Sequence, residues 1–245
     1  MSKSPDRLWL NTSPILQCFD LPLLRYLSQQ TSIARWEYSQ SLDEASSLDI
    51  AAQLLHDYLQ SCDRPMHLIG HSTSGLLGLL YARQYPEKVK SLTLLAVGVH
   101  PAIDWQAHYY LHRRVLSRQA TLEAMAYNLF GYHNGCTIKG LASILERDLD
   151  CSLSPHSLFQ PQSFLPGGVS VPLMVCGCLD DIIVEPNAIR EWQPWLKQGD
   201  RLWLCPQGGH FFHFFSPQEV GKTILRFWQS GCYGVSKFDM QAGRI

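Results

Sequence analysis

Serine, aspartate and histidine occur along this chain in an order that suits nucleophilic catalysis by a hydroxyl group. Ser72 stands in the run Gly70-His71-Ser72-Thr73-Ser74-Gly75, Asp180 and Asp181 follow the apolar segment VPLMVCGCL, and His210 follows Gly208-Gly209 near the C-terminus. A hydroxyl is a poor nucleophile at its own pKa, so it needs a base that takes its proton. An imidazole base in turn needs a carboxylate that fixes its tautomer and stabilises the imidazolium. General-base help of this kind contributes about 10²–10⁴-fold in rate.

The elements around Ser72 fit that chemistry. MHLIGHSTSGLLGLLYARQYP reads as an apolar strand, a sharp turn and a helix, the context of a nucleophile elbow. The turn forces Ser72 into a strained backbone, and the small residues Gly70 and Ser74 let strand and helix approach. The amide of Thr73, at the helix start, then faces a developing oxyanion. Taken alone, an aspartate in a strand-end loop is an ordinary turn residue or helix cap, and a single loop histidine carries little weight.

With its Gly70-x-Ser72 turn, the segment resembles the α/β-hydrolase family, whose G-x-S-x-G motif is met at Gly70 and Ser72 and departs at Ser74. The resemblance implies a triad in the chain order Ser72, Asp180, His210. Asp180 matches the family's G-x-x-D pattern from Gly177, with Asp181 as the neighbouring rival and Asp104, after the preceding strand, as another. His210, directly after Gly209, takes the base position, and His213, among phenylalanines, reads as a packing residue. The family draws one oxyanion donor from the residue after the serine, here Thr73. It draws the second from the loop after its first conserved strand, here Leu10-Asn11-Thr12-Ser13-Pro14 with Asn11-Thr12 in place of His-Gly. Pro14 has no N–H, so the matching amide is that of Ser13, with Thr12 as substitute. No cofactor or metal is implied.

The elements that must carry these residues form a regular alternation. RLWL, SIARWEY, MHLIG, SLTLLAVGV, VPLMVCG and RLWLCP read as strands, separated by helical periodicity such as Ile50, Leu54 and Tyr58, or Leu76, Leu79, Leu80 and Arg83. This predicts an α/β fold, a mostly parallel sheet of about six strands flanked by helices. The resemblance implies an α/β-hydrolase core shortened by two N-terminal strands. The alternation breaks between residues 99 and 168, which read as a helical cap carrying Trp105, His108, Tyr109, Tyr110, Tyr127, Phe130, Tyr132 and His133. The core then comprises 1–98 and 169–230, and 231–245 is a weakly anchored tail. A final helix is expected from Pro217, capped by Ser216.

Bulk properties narrow the function. Twenty Lys and Arg balance 21 Asp and Glu without a charged run, which argues against a nucleic-acid partner. No segment approaches the ~20 apolar residues of a membrane span and MSKSPDRLWL lacks a signal-peptide core, so a cytoplasmic protein without stable membrane insertion is expected. The eight cysteines contain no C-x-x-C pair, and Cys176 and Cys178 would share one strand face as packing groups. The expected activity is two-step hydrolysis of an ester, or of a thioester or amide, of a small apolar molecule. The same triad would also serve carbon–carbon bond hydrolysis, lyase or perhydrolase chemistry. From another class, a non-catalytic binding module on the same scaffold stays open.

Overall fold

The computed structural model describes residues 5–39, 43, 46–131, 135–159 and 162–230. All six expected strands form: β1 (Arg7–Asn11), β2 (Ala34–Glu37), β3 (Met66–His71), β4 (Val89–Leu95), β5 (Leu173–Cys178) and β6 (Arg201–Cys205). They make one wholly parallel sheet in the order β2-β1-β3-β4-β5-β6. Central β3, β4 and β5 are apolar almost throughout because helices cover both faces of the sheet.

Strand alternation sorts the core into two layers. Leu8, Leu10, Leu68 and Leu92 face one way, against α2 (Leu48–Gln60) and α3 (Thr73–Gln84). Trp9, Ile69, Met174, Cys176 and Cys178 face the other way, against α1 (Leu21–Ser28) and the C-terminal helix (Pro217–Ser230). Cys176 and Cys178 therefore do share a buried face. A side chain in place of Gly221 would put its Cβ 2.2 Å from the Tyr26 ring, so this glycine lets α1 and the C-terminal helix touch.

Two helix faces differ from the sequence reading. Helix α2 buries Ala51, Leu55 and Leu59, while Ile50 and Leu54 are 53% and 48% exposed. Both stripes have helical spacing, and the sheet takes the one containing the small Ala51, which permits close approach. Helix α3 is enclosed on nearly every side, so its apolar residues mark no single face.

Between β4 and β5 the chain forms α4 (Trp105–His112), α5 (Arg118–Phe130) and α6 (Gly135–Cys151), with no strand among the described residues of that stretch. Ser117 caps α5 through Ala120 N at 3.2 Å. The chain returns to β5 under the grip of Arg83, whose guanidinium donates to the carbonyls of Leu165 and Gly167. Beyond β5 come α7 (Pro186–Arg190), a four-residue turn of helix, α8 (Phe212–Phe215), and α9 (Pro217–Ser230), which begins at the expected proline. Tyr132, His133 and the tail 231–245 lie outside the described residues. None of the described helices is long and apolar enough to cross a membrane.

Candidate active site

Strand β3 ends at His71 and α3 begins at Thr73, which leaves Ser72 alone on the turn with φ 52° and ψ −125°. A non-glycine residue held there costs about 1–3 kcal/mol, a strain the surroundings must enforce. Ser72 N donates to Leu95 O at 2.9 Å and Leu76 N donates to Ser72 O at 3.0 Å, clamping the turn from both sides. A Cβ on Gly70 would lie 2.6 Å from Gly75 N, and one on Gly75 would lie 2.6 Å from Val97 Cγ2. Close approach therefore requires glycine at 70 and 75, while position 74 accepts a side chain. Ser74 uses it to tie down the loop after β1: its Oγ accepts the Thr12 N–H at 2.9 Å and pairs with Thr12 Oγ1 at 3.0 Å.

His210 Nδ1 meets Asp181 Oδ2 at 3.0 Å, with both side chains fully enclosed. Asp181 Oδ1 accepts the amides of Ile183 and Val184 at 2.8 and 3.1 Å, so three donors fix the carboxylate. This corrects the expectation for Asp180, which does not face the imidazole. Leu179 and Asp180 form the turn leaving β5, with Leu179 N bound to Cys205 O, and Asp181 is the first side chain to re-enter the interior. Asp180 instead accepts Gly209 N at 2.8 Å, Gly208 N at 3.2 Å and the Cys178 thiol at 2.9 Å. Partial burial alone would raise its pKa, but the Cys178, Gly209 and Gly208 donors prevail and hold it below the usual carboxylate value. Asp180 thus holds the loop that carries His210. Ser72 Oγ and His210 Nε2 are both buried, and neither makes a hydrogen bond among the described residues.

A second imidazole–carboxylate pair lies beside the first. His213 Nε2 meets Asp20 Oδ1 at 2.9 Å, and Trp9 Nε1 donates to Asp20 Oδ2 at 3.2 Å. His213 is buried, as expected of a packing residue, but it is also hydrogen-bonded. Between the pairs lies His71, its ring 4.8 Å from that of His210 and 4.5 Å from that of His213. His71 Nε2 donates to His210 O at 3.0 Å, and since a carbonyl only accepts, Nε2 carries the proton. Burial, reinforced by His213 and His210, holds the His71 pKa well below the ordinary imidazole value. Asp20, His71 and His213 each offer a ligand atom within 4.8 Å of the other two, the geometry of a possible metal set, although both Asp20 oxygens are already engaged. Nothing in the local sequence around Asp20 distinguishes it from a helix-capping residue.

The loop after β1 also departs from expectation. Ser13 N donates to the Asn11 side chain at 3.0 Å and Thr12 N to Ser74, so both amides are spent within the protein. The Thr73 amide, in the first turn of α3, has no carbonyl one turn back to bond. The Thr73 hydroxyl donates to Asp104 Oδ2 at 2.8 Å, while Asp104 Oδ1 caps α4 through Ala107 N. Asp104 therefore serves as a helix cap and pins α4 to the elbow, away from His210. Asp148 on α6 is fully enclosed near Ser13 and Ser152, and neither of its oxygens completes a hydrogen bond. Burial pushes its carboxyl up to about 7, against lesser opposition from Ser152 and Ser13.

Leu16, Trp105 and Phe211 line the cavity at Ser72, which has a free volume of about 20 Å³ and is lined also by Ser13, Asp20, His71 and Thr73. That is room for a water molecule and far less than an ester needs. Phe130 stacks on Phe211 at 4.9 Å, Tyr109 packs edge-on against Trp105, and Tyr127 turns partly outward. His108 Nε2 meets Ile183 O at 3.1 Å, beside the loop that holds Asp181. The segment between β4 and β5 therefore overlies the serine.

Comparison with known proteins bears on the family and the fold. The family profile described as "Alpha/beta hydrolase family" matches residues 18–223. An uncharacterized protein of Nostoc sp. is 47% identical over 94% of this chain and 92% of its own length. One of Synechocystis sp. is 48% identical over 91% and 90%. Among solved structures, a membrane phospholipase A described as a bacterial virulence factor superposes with a TM-score of 0.72 at 19% identity, covering 95% of this chain and 81% of that one. A thermophilic esterase gives 0.71 at 14% identity, covering 94% and 91%. A meta-cleavage product hydrolase from Pseudomonas fluorescens gives 0.71 at 9% identity, covering 93% and 91%. At these identities the structural likenesses speak for the fold alone.

Proposed function

Since the chain belongs to the alpha/beta hydrolase family, we propose that it is a serine hydrolase cleaving an ester of a small apolar molecule through Ser72, His210 and Asp181. The observation that carries the proposal is the buried Asp181–His210 pair at 3.0 Å, in a chain whose serine is held at φ 52° on the strand-to-helix turn. Ser72 Oγ attacks the ester carbonyl as His210 Nε2 takes its proton, and Asp181 keeps Nδ1–H in place and steadies the imidazolium. The Thr73 amide receives the oxyanion. The Ser13 amide becomes the second donor when Asn11 Oδ1 releases it, and an absent donor of this type costs about 10²–10³-fold. Substrate access requires the cavity lined by Trp105 and Phe211 to widen, because its free volume of about 20 Å³ is too small for an ester.

The engaged Ser13 and Thr12 amides and the small cavity favour a second reading, a binding module without turnover. One experiment separates the two. A fluorophosphonate probe is expected to label the native chain and Ser74→Ala but not Ser72→Ala, with hydrolysis of short p-nitrophenyl esters lost in Ser72→Ala alone. A folded native chain that neither takes the probe nor hydrolyses the ester would sink the hydrolase reading, and labelling that survives Ser72→Ala would sink the assignment of the nucleophile.

A further inference from the structure

Under the histidine loop, β5 and β6 end in two thiols that the hydrolytic mechanism does not use. Cys178 and Cys205 are register partners at the ends of these adjacent parallel strands. Both are buried free cysteines of the same core layer, the Cys178 thiol donating to Asp180 Oδ1 at 2.9 Å and the Cys205 thiol to Gln207 O at 3.2 Å. Neighbouring strands lie about 4.8 Å apart, within the roughly 4.4–6.8 Å between Cα atoms that a disulfide spans. Strand β6 is the edge of the sheet, and Cys205 is its last residue before the exposed Pro206-Gln207 turn. The Cys178 proton is thus directed at the Asp180 carboxylate. The same Asp180 carboxylate holds the amides of Gly208 and Gly209, whose φ of 124° and 58° set the path of the chain into His210.

We infer that Cys178 and Cys205 form a peroxide-oxidisable dithiol site, and that closing it to a disulfide loosens the loop that positions His210. Hydrogen peroxide, small enough to enter at the sheet edge, is the oxidant. The Cys205 thiolate attacks one peroxide oxygen, the O–O bond breaks, and the departing oxygen leaves as water after taking up a proton. The Cys178 sulfur then attacks the resulting sulfenic sulfur, forming the S–S bond and expelling a second water. Overall two thiols and one peroxide give one disulfide and two waters, with both sulfurs oxidised and both peroxide oxygens reduced. The neighbouring Cys178 draws the Cys205 thiol down to about 7 despite burial, which supports the first step, while the Cys178 thiol itself is raised. After closure Asp180 Oδ1 faces a sulfur with no proton, and the grip on Gly208 and Gly209 weakens.

The disulfide does not depend on the proposed function, whereas its effect on turnover does. The full chain is treated with hydrogen peroxide and followed by non-reducing peptide mass spectrometry, amide hydrogen exchange at Gly208 and Gly209, and p-nitrophenyl ester hydrolysis. The expected results are a Cys178–Cys205 cross-linked peptide two hydrogens lighter than the two thiol peptides, faster exchange of the two glycine amides, and about tenfold slower hydrolysis, all reversed by dithiothreitol. Cys205→Ser is expected to match native activity and to keep it under peroxide. Peroxide that oxidises exposed Cys18 and Cys136 while leaving Cys178 and Cys205 as thiols would overturn the site. A cross-linked chain with unchanged glycine exchange would overturn the coupling to the histidine loop, and this readout stands even if no ester is hydrolysed.

Discussion

Among the described residues, two hydrogen-bonded imidazole–carboxylate pairs lie on either side of His71, and by distance they are nearly the same object: His210 with Asp181 at 3.0 Å and His213 with Asp20 at 2.9 Å. Both histidines are fully buried, and each leaves its other ring nitrogen without a hydrogen-bond partner among the described residues. What differs is the support. Asp181 is held by two backbone amides of its own loop, and His210 follows two glycines in left-handed backbone, a segment shaped by Asp180. Asp20 is held by the Trp9 indole, and His213 sits inside the short helix α8, bridging β1 and the helical layer beneath it. A buried imidazole–carboxylate contact therefore does not by itself identify a base. In our reading the first pair is built to present a ring to the nucleophile, and the second to join elements of the core.

The sharpest way to break that comparison is at the carboxylates of the first pair. Asp181→Asn is expected to lower kcat/KM for p-nitrophenyl acetate about 10⁴-fold by stabilising the wrong imidazole tautomer. Asp180→Asn keeps a side-chain oxygen for the glycine amides and is expected to lose about tenfold. Equal losses, or the reverse order, would return the acid role to Asp180. The second pair should fail differently. His213→Ala leaves the Asp20 carboxylate buried with one partner fewer, which costs about 3 kcal/mol, or roughly 6–12 °C in Tm for a chain of this size. Its kcat should stay within a few-fold of native at a temperature where both proteins are folded, and a collapse of kcat there would make His213 part of the machinery.

Asp148 is the control, a carboxylate as enclosed as the other two with no imidazole beside it. Its pKa is raised from 3.8 to about 7, so its contribution to stability is fully present at acid pH and is lost as pH rises through that window. Asp148→Asn removes the ionisation. Its thermal stability should match that of the native chain near pH 4 and exceed it by up to about 4 kcal/mol at pH 8. The same difference at both pH values would show that Asp148 does not titrate in this window.

The central strands were legible because a parallel sheet covered on both faces demands continuous apolar runs, which β3, β4 and β5 supply almost throughout. The turn at Ser72 was legible because small residues on both sides of a serine, between strand and helix, allow few other conformations. The acid was not. Asp180 and Asp181 are adjacent, and the choice between them depends on where β5 stops and how its turn is bonded to Cys205 across the sheet. The state of the second oxyanion donor was illegible for a similar reason. Whether the Ser13 amide is free depends on the Asn11 rotamer, and the Thr12 amide is captured by Ser74, 62 residues away. His213 was read from its phenylalanine neighbours, whereas its partner Asp20 lies 193 residues earlier. Local pattern thus supplies elements and sharp turns, but not contacts that cross the sheet.

The wholly parallel sheet also bears on how the chain assembles. No two of its strands are joined by a hairpin, so every pairing waits for a crossover to close, which slows folding relative to nearest-neighbour β pairing. Strands β1 to β4 all lie within Arg7–Leu95 and pair only among themselves until β5 arrives, whereas β5 follows the long segment that holds α4, α5 and α6. During synthesis a four-stranded sheet carrying Ser72 can therefore form while both members of the Asp181–His210 pair are still untranslated. Its exposed β4 edge is then a template for wrong partners. Pulse-labelled hydrogen exchange during refolding should show β3 and β4 protected before β6, and simultaneous protection of all six strands would mean that the sheet closes only as a whole.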